Sequence, residues 1–439
     1  MKFREVLLVV FLILAGFVFF QFKTGHWNID GGWDWWNWDG WGGQEVTAEE
    51  TRTIEAPVPP VIEIENGHGW VEVRGADQET VQLTFKKVAW RRSEEEAREI
   101  ADRLKYTLTT AGDKLTLATN RDEFPRKNFE TAFILTVPRG TSVRVVNGYG
   151  VVRIDGVAEA TVRNSHGEVF VTDVKGSCAV ETSYEDVEVL RITGECRITD
   201  RNGDVRAGSV GGDLWIETSY AEVDVEDAGG KADIRGSNVD VDARRVAGAV
   251  TVDTSYEKVY LADVGPAEVT ARNTAVTADG VRGDLKIQTS YEPVQVDRVQ
   301  GNLRISAENS AVTADGIGGA KIEVATSYEK VTLAGFSAEV TVSNRNGDVS
   351  LGPLDLKHGI DVRNEYGEIQ LGWPDGESAR VEAQSKGGTV HWGLTEKPDV
   401  DQTNGTSLVK AFTANAAGPL VYLSTSYDDI RIEPVARKF

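Results

Sequence analysis

Two cysteines in 439 residues rule out a disulfide-stapled scaffold and a zinc ribbon. The five histidines, at 26, 68, 166, 358 and 391, include no pair at metal-ligand spacing, and no HExxH motif occurs. GxSxG, a Walker loop and a GGxGxD calcium repeat are also missing. No block of Lys and Arg offers a phosphate-binding face, and 69 acidic against 47 basic residues give a net charge of −22, so nucleic acid is excluded as a partner. Proline is scarce, at 12 residues, and the middle of the chain lacks any 3.6-residue apolar period, which excludes helical repeats. What remains is glycine, 45 residues of it, among short apolar-polar alternations of Val, Thr and Asp, a composition of strands and turns.

Only one long apolar run exists. Lys2 and Arg4 precede VLLVVFLILAGFVFF, Val6 to Phe20. No A-x-A site follows it, and LILAGF lacks the cysteine of a lipobox. The run therefore reads as an uncleaved signal anchor over residues 1–24, a single transmembrane helix with its N-terminus in the cytoplasm and everything after Lys23 outside, periplasmic or at the cell surface. Six tryptophans between Trp27 and Trp41 sit among Gly and Asp. A glycan platform needs a rigid scaffold, which this stretch lacks. An interfacial aromatic belt leading into a stalk, residues 25–55, fits better.

Beyond the stalk the chain repeats itself. Thr-Ser-Tyr begins at 182, 218, 254, 289, 326 and 425, and TSYEKV occurs letter for letter at 254 and 326. Related turns lie between: NSHGEV at 164, DRNGDV at 200, NTAVTA at 273, NSAVTA at 309 and NRNGDV at 344. The combined step is close to 18 residues. Around each corner the apolar residues alternate: Leu214 and Ile216 before Thr218, then Val223 and Val225; Leu285 and Ile287 before Thr289, then Val294 and Val296. Each repeat thus holds two half-buried strands that cannot form a core alone, and stacking them gives an all-β, single-chain parallel β-helix, a β-solenoid. The expected inward ladder is Cys178, Cys196, Leu214, Val250, Leu285, Leu303 and Ile322, beside Val180, Ile216, Val252, Ile287, Ile305 and Val324.

TSYEKV counts six residues to the next inward valine and NTAV only four, so long and short corners are expected to alternate and to step one face. Tyr149, Tyr184, Tyr220, Tyr256, Tyr291, Tyr328 and Tyr366 then form a column on every second rung, with His166, Asn202, Ala275, Ala311 and Asn346 between. Alternate rungs are about 9.6 Å apart, too far for ring stacking, so the tyrosines are expected to act separately. As the slot accepts such different residues it is an exposed edge, and the column is the candidate contact surface. His68 shares that slot and approaches His166 if the chain between them loops out.

The ends differ. VIEIENGHGWVEV, from 61, is a first rung, followed within 56–146 by a small α+β excursion: a strand near 79–89, a helix near 94–106 with a capping box of Ser93 and Glu96, and strands near 113–119 and 130–137. The regular solenoid spans 147–394, with QSKGGTVHW as an irregular rung. In 395–439 a polar loop precedes VYLSTSYDDIRI, which closes the coil.

VPRGTSVRVVNGYGVVRI, NSHGEVFV, RNGDV, TSYDDIRI and the early NGHGWVEV together resemble a bacterial adhesin-labelled family of unknown function built from β-strand repeats. The resemblance covers roughly residues 56–435; it implies an envelope-associated β-helix, often behind a membrane segment, and no catalytic residues or cofactor. The Trp-rich stalk is not part of that pattern.

Cys178 and Cys196 fall one rung apart in the same inward slot, within reach of a disulfide; two small apolar core residues is the other reading. Acidic residues are spread over every outward column, such as Glu185, Asp186 and Glu188 or Asp224, Glu226 and Asp227, which suits a solvated face that blocks edge aggregation. Two function classes follow. One is a tethered structural or binding protein without catalytic activity, contacting an envelope protein or glycan. The other is a carbohydrate-active β-helix enzyme of the polysaccharide lyase or hydrolase type, which requires a deep groove with convergent acid and base groups.

Overall fold

The structure is a computed structural model; it describes residues 44–124, 128–395, 398–403, 406–412 and 418–434. The expected anchor at 1–24 and the Trp-rich stretch lie outside the described residues. Among the described residues no helix is long and apolar enough to cross a membrane.

The chain coils as a parallel β-solenoid with two sheets facing each other. Strand Cys196–Thr199 pairs with Leu214–Glu217 at Cys196↔Leu214, and Leu285–Ser290 pairs with Leu303–Glu308 at Leu285↔Leu303, each a step of 18 residues. The opposite sheet keeps the same pitch, with Val187↔Val205↔Val223. Every residue of the expected inward ladder is buried, and one continuous apolar core runs from Ile62 to Ile432.

The second arm of a rung carries a kink. In Val187–Ile192 the inward residues are Val187, Val189 and then Ile192, a spacing of two followed by three. The extra residue, Arg191, is left-handed with φ 57°, and so are its equivalents Asp173, Ser209, Asp227 and Arg245. The left-handed residue turns the strand so that the next apolar side chain regains the core, and neighbouring rungs repeat the turn in register. Arg191 holds Asp173 by two bonds of 2.7 Å and Arg245 holds Asp227 at 2.6 Å, tying successive rungs together at this bend. The following glycines pack backbone on backbone: a Cβ on Gly230 would lie 2.5 Å from the Gly212 carbonyl oxygen.

Both ends are built by insertion. At the first end, β1 (Gln44–Ile54) is a strand where stalk was expected; its alternating sequence lets it pair antiparallel with β4 (Val81–Arg91). β2 (Val61–Asn66) and β3 (Val71–Ala76) form a rung that is not outermost. Helix α1 (Glu94–Arg103) follows, with Ser93 accepting from the Glu96 amide at 3.2 Å as its cap. β5 (Tyr106–Ala111), absent from the sequence expectation, makes a hairpin with β6 (Lys114–Thr119). β6 and β7 (Phe129–Pro138) lie outside β2 and β3, and β8 (Ser142–Tyr149) and β9 (Val152–Asp155) pair on the inner side.

The far end repeats the device and corrects the expected order. VYLSTSYDDIRI does not close the coil. Its strand Leu420–Thr425 sits between Ile360–Arg363 and Arg380–Ser385, so the QSKGGTVHW rung is the outer one. The segment expected as polar loop forms strands Asp399–Thr403 and Thr406–Phe412, and the latter covers Arg380–Ser385 antiparallel. The coil itself is parallel; antiparallel strands cover both sheets at the first end and the Arg380–Ser385 edge at the far end, which blunts those edges as templates for another chain, while among the described residues Val390–Trp392 is paired on one side alone, by Ile430–Pro434.

Candidate functional site

The Thr-Ser-Tyr corner divides its work among three residues. Thr is buried in every such corner but the half-buried Thr326: the Thr254 hydroxyl donates to the Val239 carbonyl at 2.9 Å and Thr289 to the Thr274 carbonyl at 2.8 Å, bonding across the corner. Ser reaches the previous rung, its oxygen accepting a backbone N–H: Asn273 donates to Ser290 Oγ and Asn309 to Ser327 Oγ, both at 3.3 Å. Tyr points out. Tyr220, Tyr256, Tyr291 and Tyr328 are 70, 65, 65 and 59% exposed.

The register corrects two expectations. Thr254 pairs with Ala271 and Val259 with Val276, so both corners contain six residues and the face is not stepped. A count begun at Asn273 missed Ala271, the inward residue that opens the corner. The residues level with the tyrosines are therefore not Ala275 and Ala311 but Asn273 and Asn309, with Asn238 in the equivalent place before Tyr256. All seven, from Tyr220 through Asn238, Tyr256, Asn273, Tyr291 and Asn309 to Tyr328, are left-handed, with φ between 51° and 70°. Asn adopts this conformation readily; a bulky aromatic residue there is an outlier that costs about 1–2 kcal/mol.

Nearer the first end the corner is of another kind. The glycine after the ring takes the positive φ, 126° at Gly69, 111° at Gly150 and 133° at Gly167. A Cβ on Gly167 would lie 2.2 Å from the Gly150 carbonyl oxygen. Here the rings are not separate. His68 and Tyr149 are stacked at 5.4 Å, Tyr149 and His166 at 4.4 Å, and His166 and Tyr184 at 4.9 Å. His166 fills the rung between Tyr149 and Tyr184, and Tyr149 lies between His68 and His166, which do not meet. Tyr366 stacks at 4.8 Å on Tyr427, a column member that sequence order hid because its rung is inserted late. Every tyrosine of the column is exposed by 45% or more.

A strong electrostatic perturbation lies beside His68. Burial pushes the Glu130 carboxyl up to about 7, against the opposing pull of Arg121. Its Oε1 is 3.8 Å from His68 Nδ1, and burial, then Arg121, lowers the His68 pKa. Inside the solenoid Asp200 is buried in the slot that holds Thr182 and Thr218 on neighbouring rungs; its Oδ2 accepts the Gly203 amide at 2.5 Å, and burial raises its pKa. Cys178 and Cys196 are register partners, both buried as free thiols, and a hydrogen bond from the Cys196 thiol to Cys178 together with burial raises the Cys196 pKa. The described residues contain no cluster suited to a metal ion. Two surface depressions are open and shallow: one of about 520 Å³ is lined by Arg139, Asp173, Lys175 and Arg191, another of about 320 Å³ by Thr332, Gln370 and Glu433.

The regular two-sheet coil, its corner motifs and its end rungs coincide with one family model, Toastrack DUF4097, which matches residues 61–433. The chain belongs to the Toastrack DUF4097 family. The Toastrack region thus takes in the inserted rungs at both ends as well as the regular coil. No curated protein matches the chain. A crystal structure described as "a putative cell adhesion protein from Clostridium sporogenes ATCC 15579" aligns with 89% of this chain and 100% of its own at 8% identity, with a TM-score of 0.17. A score that low carries no argument about this Toastrack chain.

Proposed function

We propose that this Toastrack protein is a membrane-tethered, extracytoplasmic binding protein without catalytic activity, and that it presents its tyrosine edge to a partner in the bacterial envelope. The observation that carries the reading is the left-handed tyrosine. Asn238, Asn273 and Asn309 occupy the same slot with the same backbone, so the coil does not need an aromatic residue there. Four strained, exposed tyrosines on alternate rungs are retained at a cost the fold could avoid, and such strain concentrates where a surface is used. Tyrosine also supplies a large amphipathic contact at low entropic cost. The shallow depressions favour binding over the lyase or hydrolase reading, which calls for a deep cleft with convergent acid and base groups.

The tether rests on Lys2, Arg4 and the Val6 to Phe20 run. Protease applied to intact spheroplasts is expected to digest the solenoid; full protection would refute the orientation. Crosslinking in native membranes, followed by identification of the captured neighbours, tests the partner. Recovery of envelope components is expected, and capture of none would count against the binding role.

A further inference from the structure

Resting on the tyrosine-edge reading, we infer that the occupant of Tyr220, Tyr256, Tyr291 and Tyr328 is a cationic, proline-rich segment in the polyproline II conformation. Three properties of the edge select it.

The first is its repeat. Tyrosines on alternate rungs are two strand spacings apart, about 9.6 Å. One turn of polyproline II, three residues, advances about 9.3 Å. Over the three intervals from Tyr220 to Tyr328 the two drift apart by only about 1 Å. An extended strand repeats its side chains every ~6.7 Å and loses register at the second ring. Two turns of α-helix cover about 10.8 Å and drift by roughly 3.6 Å over the same span. A polyproline II chain alone sets one proline on each tyrosine ring.

The second is charge. Glu257, Glu292 and Glu329 directly follow Tyr256, Tyr291 and Tyr328 and are exposed, on a chain of net charge −22. Lys258, the next residue after Glu257, is already taken by Asp240 at 3.0 Å. A basic residue in each triplet lies one face away from the proline row and meets this acidic line.

The third is hydrogen bonding. A polyproline II backbone has no internal hydrogen bonds, so its carbonyls need donors. Tyrosine hydroxyls and the side-chain amide groups of the half-buried Asn238, Asn273 and Asn309 repeat at the required interval. Aromatic-lined surfaces recognise proline-rich chains by this combination of ring contact and hydroxyl donation.

The test is fluorescence anisotropy on the full chain, with a labelled peptide of repeated Pro-Arg-Pro triplets long enough to reach from Tyr220 to Tyr328. Its comparison is an isomer of identical composition with the arginines scattered off the three-residue repeat. The triplet peptide is expected to bind, to weaken with salt, and to bind roughly tenfold more tightly than the isomer. Changing Tyr220, Tyr256 and Tyr291 together to Asn, the residue already resident in that slot, is expected to abolish the preference while the chain stays folded. Equal binding of the two peptides, or binding unchanged in the triple variant, would overturn the inference by reducing it to charge alone. A neutral glycan oligomer that binds through the tyrosines while neither peptide does would overturn it and leave the tyrosine-edge reading standing. Tyrosine-independent capture of the membrane partner would remove the edge reading itself.

Discussion

Asn273 lies level with Tyr256 one rung further along the coil, and both backbones are left-handed, at φ 51° and 69°. Their side chains differ completely while their backbones nearly coincide. The pair separates what the corner needs, a residue that tolerates positive φ, from what its surface displays.

Replacing Tyr256 alone by Asn should therefore stabilise the chain or leave it unchanged. Relief of left-handed strain is worth about 1 kcal/mol, against whatever packing the ring provides. Denaturant unfolding measures this, and a loss of more than about 1 kcal/mol would mean that the ring shields its corner.

Ile216 is 2% exposed in the middle of the stacked core. Ile216→Ala should cost about 2–5 kcal/mol, because neighbouring rungs on both sides hold the strand spacing and prevent the cavity from collapsing. A cost below 1 kcal/mol would place this residue outside a close-packed core.

The first end should respond to pH with the reverse of the usual carboxylate behaviour. Glu130 titrates near 7 when folded and near 4.5 when not, so the folded chain binds its proton more tightly. That contribution is fully present below 4.5 and is lost as pH rises through 7, by about 3 kcal/mol at most. Glu130→Gln should flatten the melting temperature between those limits. An unchanged slope in the variant would assign the effect elsewhere.

Cys178 and Cys196 face each other across neighbouring strands as thiols. Both are buried, and the hydrogen bond to Cys178 with burial disfavours the Cys196 thiolate, so alkylation of the native chain should be slow. Without reductant, denaturant should release two titratable thiols per chain; none would mean a disulfide across the rung.

Much of the solenoid was legible because alternation is local. Leu214, Ile216, Val223 and Val225 declare their side of the strand from spacing alone. The three-residue step from Val189 to Ile192 was visible too, but its cause was not, because Arg191 adopts positive φ without being glycine. The corner register slipped for a related reason. NTAV looks like a short corner until pairing identifies Ala271, not Asn273, as the residue equivalent to Thr254. The inserted rungs could not be read at all. VYLSTSYDDIRI carries the same corner motif whether it ends the coil or slides in beside Ile360–Arg363, and pairing partners, not motif, decide its place. The ring column was read correctly as exposed, but the stacking of Tyr149 on His166 depends on the histidine between the tyrosines, which a step of two rungs skips over.

The most direct measurement takes the chain with Tyr220, Tyr256 and Tyr291 all changed to Asn and records two things from one preparation: its melting temperature, and the neighbours it captures by crosslinking in native membranes. If the tyrosine edge is the contact surface, the melting temperature holds or rises and the captured partner is lost. A fall in melting temperature with the partner still captured by the folded protein would contradict this, and would make the tyrosines shields for their corners.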